Sequence, residues 1–159
     1  MVASILAARG IHSGDQAQQL LSPGGESLLS PLLMLGMDQA AARVRLALER
    51  GEQIAVYGDY DVDGITATCL LTEFLSGEGG AVLPYIPGRL EEGYGLNREA
   101  IASLARQGVK LIVTVDCGIT AVDEVAFASQ LGVDVVITDH HTCKGILPDA
   151  VAVVDPHQP

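Results

Sequence analysis

Three short runs in this sequence carry residues able to do chemistry together. Gly58-Asp59-Tyr60-Asp61-Val62-Asp63-Gly64 sets carboxylates at alternate positions, Val115-Asp116-Cys117-Gly118 adds another, and Thr138-Asp139-His140-His141 joins a carboxylate to two imidazoles. Carboxylates this close repel one another unless protons or cations compensate them, and at neutral pH metal ions do so. Asp and His together suit an octahedral Mn²⁺ or Mg²⁺ site, and the imidazole tilts the preference toward Mn²⁺. The runs offer more ligands than one ion needs, which points to two ions sharing a carboxylate. Such a pair clamps a phosphoryl oxygen, activates water and stabilises a leaving oxygen.

Other readings of the same residues fail on particulars. Asp59-x-Asp61-x-Asp63-Gly64 has the spacing of a calcium-binding EF-hand loop, but the twelfth position is Leu70 rather than Glu and the preceding segment is apolar and strand-like. Asp61-Val62-Asp63-Gly64 also resembles the nucleophile motif of haloacid-dehalogenase-like phosphatases. That motif needs an apolar strand running straight into its first Asp, and here Gly58, Asp59 and Tyr60 intervene. Taken singly, Asp116 would be a strand-end turn residue and His140-His141 a solvated pair; their joint occurrence is what points to a metal cluster. Cys117 and Cys143 lie close by, but oxygen-rich sites do not recruit thiolates, so these read as packing residues. His12 and His157 carry no signal.

The elements that must position these runs are legible from periodicity. Short apolar segments at 54–58, 81–86, 111–116, 133–139 and 151–154 read as strands, and helices are expected at 65–76, 98–107 and 121–131. Continuous apolar strands such as LIVTV and VDVVIT indicate a sheet covered on both faces, hence a mainly parallel one. The expected fold is therefore α/β, a doubly wound parallel sheet over residues 51–159, with a short helical lead-in over 1–50. Within the lead-in, Met37–Arg50 has helical spacing, Asp38 near its start and Gly51 as a C-cap. All three reactive runs fall at the carboxyl ends of strands, the edge where ligand crevices of open parallel sheets lie.

Composition bounds the rest. The chain has 159 residues with 9 Lys+Arg against 20 Asp+Glu, a formal net charge of −11. That length supports a single domain with a real core, and a hydrophobic fraction of 48% excludes an acidic disordered tail. The acidity argues against a free-standing, sequence-independent DNA binder, though not against an enzyme that meets nucleic acid through bound cations. Three cysteines without metal or disulfide spacing, no basic-then-apolar leader and no apolar run near the ~18 residues of a membrane span read as a soluble, cytoplasmic chain with no membrane partner.

The runs VYGDYDVDGITAT, VTVDCGI and VITDHH resemble the first three motifs of the DHH phosphoesterase superfamily. The segment YIPGRLEEGYGLN at 85–97, the N-terminal RGI and the VDPHQP ending are similar to the RecJ-type single-stranded-DNA-specific exonucleases. The resemblance implies that Asp59, Asp61 and Asp63 supply first-motif carboxylates to the metal pair, without saying which of them bind directly. It implies that Asp116 bridges both ions and that His140 binds metal. His141 would contact phosphate or tune the site, and Asp139 would orient the histidines. Arg89, a bidentate phosphate donor, and Tyr94, a stacking face, lie in a glycine- and proline-rich connection and become candidates for gripping the strand.

The implied activity is removal of nucleotides from a 5′ end of single-stranded DNA, in DNA repair and recombination, with two Mn²⁺ or Mg²⁺ ions. The family carries a further metal-binding aspartate downstream and then an associated substrate-binding domain. The resemblance therefore implies an amino-terminal, truncated part of the catalytic core, with repair-protein partners and a basic surface in the portion beyond. The alternatives are a DHH phosphoesterase acting on short oligoribonucleotides or cyclic dinucleotides, or an inactive scaffold. The first group typically carries a His shortly before the first Asp pair, where residues 53–57 here are Gln, Ile, Ala, Val and Tyr. Intact ligands in all three motifs count against the scaffold.

Overall fold

The computed structural model describes residues 2–22, 28–88, 95–143 and 145–158, which fall in two compact units, Met1–Leu33 and Met34–Pro159. The first holds helices α1 (Val2–Ala8) and α2 (Gly14–Leu21) and a 3₁₀ turn at Pro31–Leu33. Helix α2 starts on a capping box: Ser13 Oγ accepts the Gln16 N–H at 3.2 Å, and the Gln16 side chain accepts the Ser13 N–H at 3.2 Å.

The second unit is built on five parallel strands, β1 (Gln53–Tyr57), β2 (Ala81–Tyr85), β3 (Val109–Val115), β4 (Asp134–Thr138) and β5 (Ala152–Val154), in the order β2-β1-β3-β4-β5. Helices α3 (Met37–Arg50), α4 (Val62–Gly77), α5 (Arg98–Arg106) and α6 (Val122–Gln130) cover both faces. Strand alternation sorts the core into two layers. Ile54, Val56, Leu111, Val113, Val136 and Val154 pack with α3 and α4. Ala55, Tyr57, Ile112, Val135 and Ile137 pack with α5 and α6. The doubly wound parallel sheet expected from the apolar runs is thus the observed architecture.

Element ends differ from the sequence reading in informative ways. Helix α4 begins at Val62 rather than 65, because the Asp61 carboxylate accepts the Gly64 N–H at 3.0 Å and so caps it within the reactive run. Strand β3 begins at Val109 rather than 111, and its register against β1 slips between Gln53 and Ile54. Helix α3, read from sequence as part of the lead-in, belongs to the second unit. Its small Ala40 and Ala47 are buried over the sheet, and Arg43 bonds Asp134 at 2.6 Å and Glu52 at 2.7 Å. No helix among the described residues is long and apolar enough to cross a membrane.

The strand order decides where a ligand can lie. The chain leaves β1 for β2 on one side and then returns to β3 on the other side of β1, so the connections after β1 and β3 diverge. The carboxyl edge between these two strands is the topological switch point at which open α/β sheets form their crevice.

Candidate metal centre

The first run leaves β1 at this switch point and turns at once into α4. Two glycines make the turn feasible. A Cβ on Gly64 would lie 2.6 Å from both the backbone N and O of Asp59, and one on Gly58 would collide with Thr68 Oγ1. The first turn of α4 can therefore press against the end of β1, which buries Asp59 to 3% exposure and leaves Asp61 and Asp63 exposed above it. The Gly64 N–H, donating to Asp61, is the main influence holding that carboxyl below its ordinary range.

Asp116 follows β3 directly, one strand over. It adopts φ +60°, the one described non-glycine residue with positive φ, a conformation that Asp tolerates better than most. Its amide donates to Thr138 O at 3.1 Å, tying the end of β3 to that of β4. The residue is 9% exposed. Burial, then the charges of Asp61 and Asp63, push it up to about 6, with His140 and His141 opposing. This is the electrostatic signature of carboxylates gathered for a cation.

The third run leaves β4 beside it. Asp139 is buried and saturated with donors. Its Oδ1 accepts the His140 N–H at 2.7 Å and the His141 N–H at 3.1 Å and lies 2.7 Å from His141 Nδ1, while Oδ2 accepts the Ile119 N–H at 2.9 Å. Burial alone would raise this carboxyl, but the Ile119 amide, the His141 ring and the two histidine amides together hold it low. In return, the hydrogen bond that His141 donates to Asp139 pushes His141 up. His140 Nε2 stands 3.4 Å from Asp116 Oδ1, and the two imidazoles lie 4.8 Å apart.

Tertiary structure thus gathers what the sequence scatters over some eighty residues. Asp59, Asp61 and Asp116 offer ligand atoms all within 4.8 Å of one another, and so do Asp116, His140 and His141. Ligands of one six-coordinate ion stand about 3–5 Å apart, so each group fits an ion, and Asp116 is common to both. Oxygen with imidazole and no thiolate is a donor set for Mn²⁺ or Mg²⁺. Asp63 joins neither group; it lines a cavity of about 290 Å³ with Asp116, Asp139, His140, Met34 and Met37. Arg89 and Tyr94 lie outside the described residues. Cys117 is fully buried, and burial pushes its thiol up, as a packing residue requires.

The sequence reading missed two buried groups. Asp155, 3% exposed at the end of β5, accepts the His157 N–H at 2.6 Å through Oδ1, while its Oδ2 is buried with no hydrogen-bond partner. Tyr57 bonds Gly95 and Asn97 across the top of the sheet. The only available signal was a polar atom inside an apolar strand or at its exit, and that pattern names no partner.

Comparison with known proteins identifies relatives of this chain. Residues 53–159 match the DHH family, N-terminal domain. The chain is 43% identical over 159 residues to the single-stranded-DNA-specific exonuclease RecJ of Bacillus subtilis (strain 168), covering 100% of this chain and 20% of that protein. A crystal structure of exonuclease RecJ bound to manganese matches with a TM-score of 0.74 at 43% identity, over 81% of this chain and 33% of that one. RecJ in complex with Mn²⁺ from Thermus thermophilus matches with a TM-score of 0.74 at 34% identity, over 95% and 20%. The chain spans 20–26% of the length of the curated relatives it matches. With its three reactive runs converging at one sheet edge and two thirds of its length matched, the chain belongs to the DHH family.

Proposed function

We propose that this chain forms the metal-binding lobe of a RecJ-like exonuclease, which hydrolyses single-stranded DNA from its 5′ end in DNA repair and recombination, in the cytoplasm. The observation that carries the reading is Asp116, shared between two groups of ligand atoms at the switch point of the sheet. Asp59, Asp61, Asp116 and His140 hold the two ions, and Asp63 reaches the same cavity from the first turn of α4. A bound pair of Mn²⁺ or Mg²⁺ supplies Lewis acidity toward the scissile phosphate and an activated water. Asp139 fixes the orientation of His141 through Nδ1 and favours its protonated form, which suits a phosphate contact. Arg89 and Tyr94 grip the strand by charge and stacking, without reading base edges. Given the strong net acidity of this chain, capture of the strand leans on the ions, on Arg89 and on a basic surface elsewhere in the longer protein.

The test is incubation of the full-length protein to which this lobe belongs with Mn²⁺ and 5′-labelled single-stranded DNA. Labelled mononucleotide should be released, and Asp116→Ala should lower turnover by about 10³-fold or more, the scale of losing a principal electrostatic stabiliser. Release of label only from short RNA or dinucleotides, or undiminished turnover in Asp116→Ala, would overturn the reading.

A further inference from the structure

The cavity of about 290 Å³ beside the ligand groups has two unlike walls. On one side stand Asp63, Asp116, Asp139 and His140; on the other, Met34, Met37, Ala67 and Val154 present carbon and sulfur. The two methionines bracket a tight turn. The Met37 N–H donates to Met34 O at 3.2 Å, and Gly36 between them has φ +80°. A Cβ on Gly36 would collide with Val153 O, so glycine lets the turn lie directly on β5. Gln158 fastens it there, its Nε2 donating to Val153 O at 2.8 Å and reaching Leu35 O at 3.5 Å. Ala67 stands one helical turn after Asp63 on the same face of α4, and its small side chain leaves the space between open.

Core packing accounts for only part of each methionine. Both pack against the layer that holds Val136 and Val154, yet both are half-buried and line the cavity as well. The opposite wall limits what can enter. Among the described residues no lysine or arginine lines the cavity, so its carboxylates repel any phosphate beyond the one held at the ligand groups, and the remaining space suits an uncharged group. Ligand pockets start at about 300 Å³, which gives this one room for a single nucleotide unit rather than a length of strand. We propose that Met34 and Met37 form the apolar wall of a subsite for the nucleoside, base and sugar, joined to the phosphate at the metal centre. The subsite rests on the exonuclease reading and deepens it. A thioether is unbranched and polarisable, packs on the face of any base or sugar and reads no hydrogen-bonding edge, which matches strand binding without sequence preference.

Oxidation footprinting reads occupancy apart from turnover. In the full-length protein to which this lobe belongs, with Mg²⁺ present, hydrogen peroxide should convert Met34 and Met37 to sulfoxides, followed by mass spectrometry. Saturating dTMP should slow both conversions severalfold, and inorganic phosphate should not. Kinetics supplies the second measurement. With Mn²⁺ and single-stranded DNA, Met34→Gln and Met37→Gln should each raise KM by about 4- to 15-fold, the worth of one or two buried methylenes, with kcat and Mn²⁺ affinity unmoved. Met34→Leu and Met37→Leu, which conserve volume and apolarity, should stay within about 2-fold of the wild type. No slowing by dTMP, equal slowing by phosphate, methionines already unreactive without nucleotide, or an unchanged KM in both glutamine variants overturns the proposal. A wild-type protein without turnover on DNA counts against the exonuclease reading instead, and the dTMP footprint then decides for or against the subsite.

Discussion

Replacing Asp116 with Asn should stabilise the metal-free protein while abolishing its stabilisation by Mn²⁺. The folded state lifts this carboxyl from 3.8 to about 6, through burial and then the charges of Asp61 and Asp63. A group raised on folding binds its proton more tightly in the native state, so stability falls as pH rises from about 4 to about 6. At about 1.36 kcal/mol per unit the full shift corresponds to roughly 3 kcal/mol. Asp61 and Asp63 are exposed, and solvent screening reduces this to about 1–2 kcal/mol. Asn has the shape of Asp and accepts the same φ of +60°, so no backbone strain offsets the gain. Urea unfolding in EDTA should show the two proteins equal near pH 4 and the variant about 1–2 kcal/mol more stable at pH 7.5. Mn²⁺ at 100 times its Kd should add about 2.7 kcal/mol to the wild type and little to the variant. Equal metal-free stability at pH 7.5, or full Mn²⁺ stabilisation of Asp116→Asn, would refute the electrostatic account of the site.

Other outcomes follow from the same geometry. Asp139→Ala strands the Ile119, His140 and His141 donors and should lower stability by about 2–4 kcal/mol by urea unfolding. Because Asp139 is held below its ordinary range, its own contribution is present above the unfolded carboxylate value and should fade as pH falls below about 4. Gly64→Ala places a methyl 2.6 Å from the backbone of Asp59. It should cost about 1–3 kcal/mol and weaken Mn²⁺ binding measured by calorimetry, since the relief must displace Asp59 itself; unchanged affinity would remove Asp59 from the ligand set.

Much of the fold was legible because it is written in local patterns. Val, Ile and Leu in runs of strand length, alternating with 3.6-residue periodicity, identify every strand and helix of the second unit to within a few residues. The start of α4 was misplaced because the competing signal was a side chain, Asp61, bonding three residues ahead. The assignment of 37–50 to the lead-in missed the Arg43–Asp134 bond across 91 residues, a contact that no window of local sequence contains.

For the candidate site, sequence alone named the donors: Asp59, Asp61, Asp63, Asp116, Asp139, His140 and His141 stand at or just beyond strand ends, and their donor types suit a hard divalent cation. Tertiary structure decided which of them meet. The order β2-β1-β3-β4-β5 sets the exits of β1, β3 and β4 side by side, makes Asp116 common to two groups and leaves Asp63 outside both, lining the adjoining cavity. It also decided how tightly each group holds its proton: Asp116 and Asp139 are both buried aspartates, yet one is raised by burial and neighbouring carboxylates and the other lowered by four donors. Residue type is a local property, whereas strand pairing, desolvation and the field at a carboxylate depend on atoms brought close only by folding.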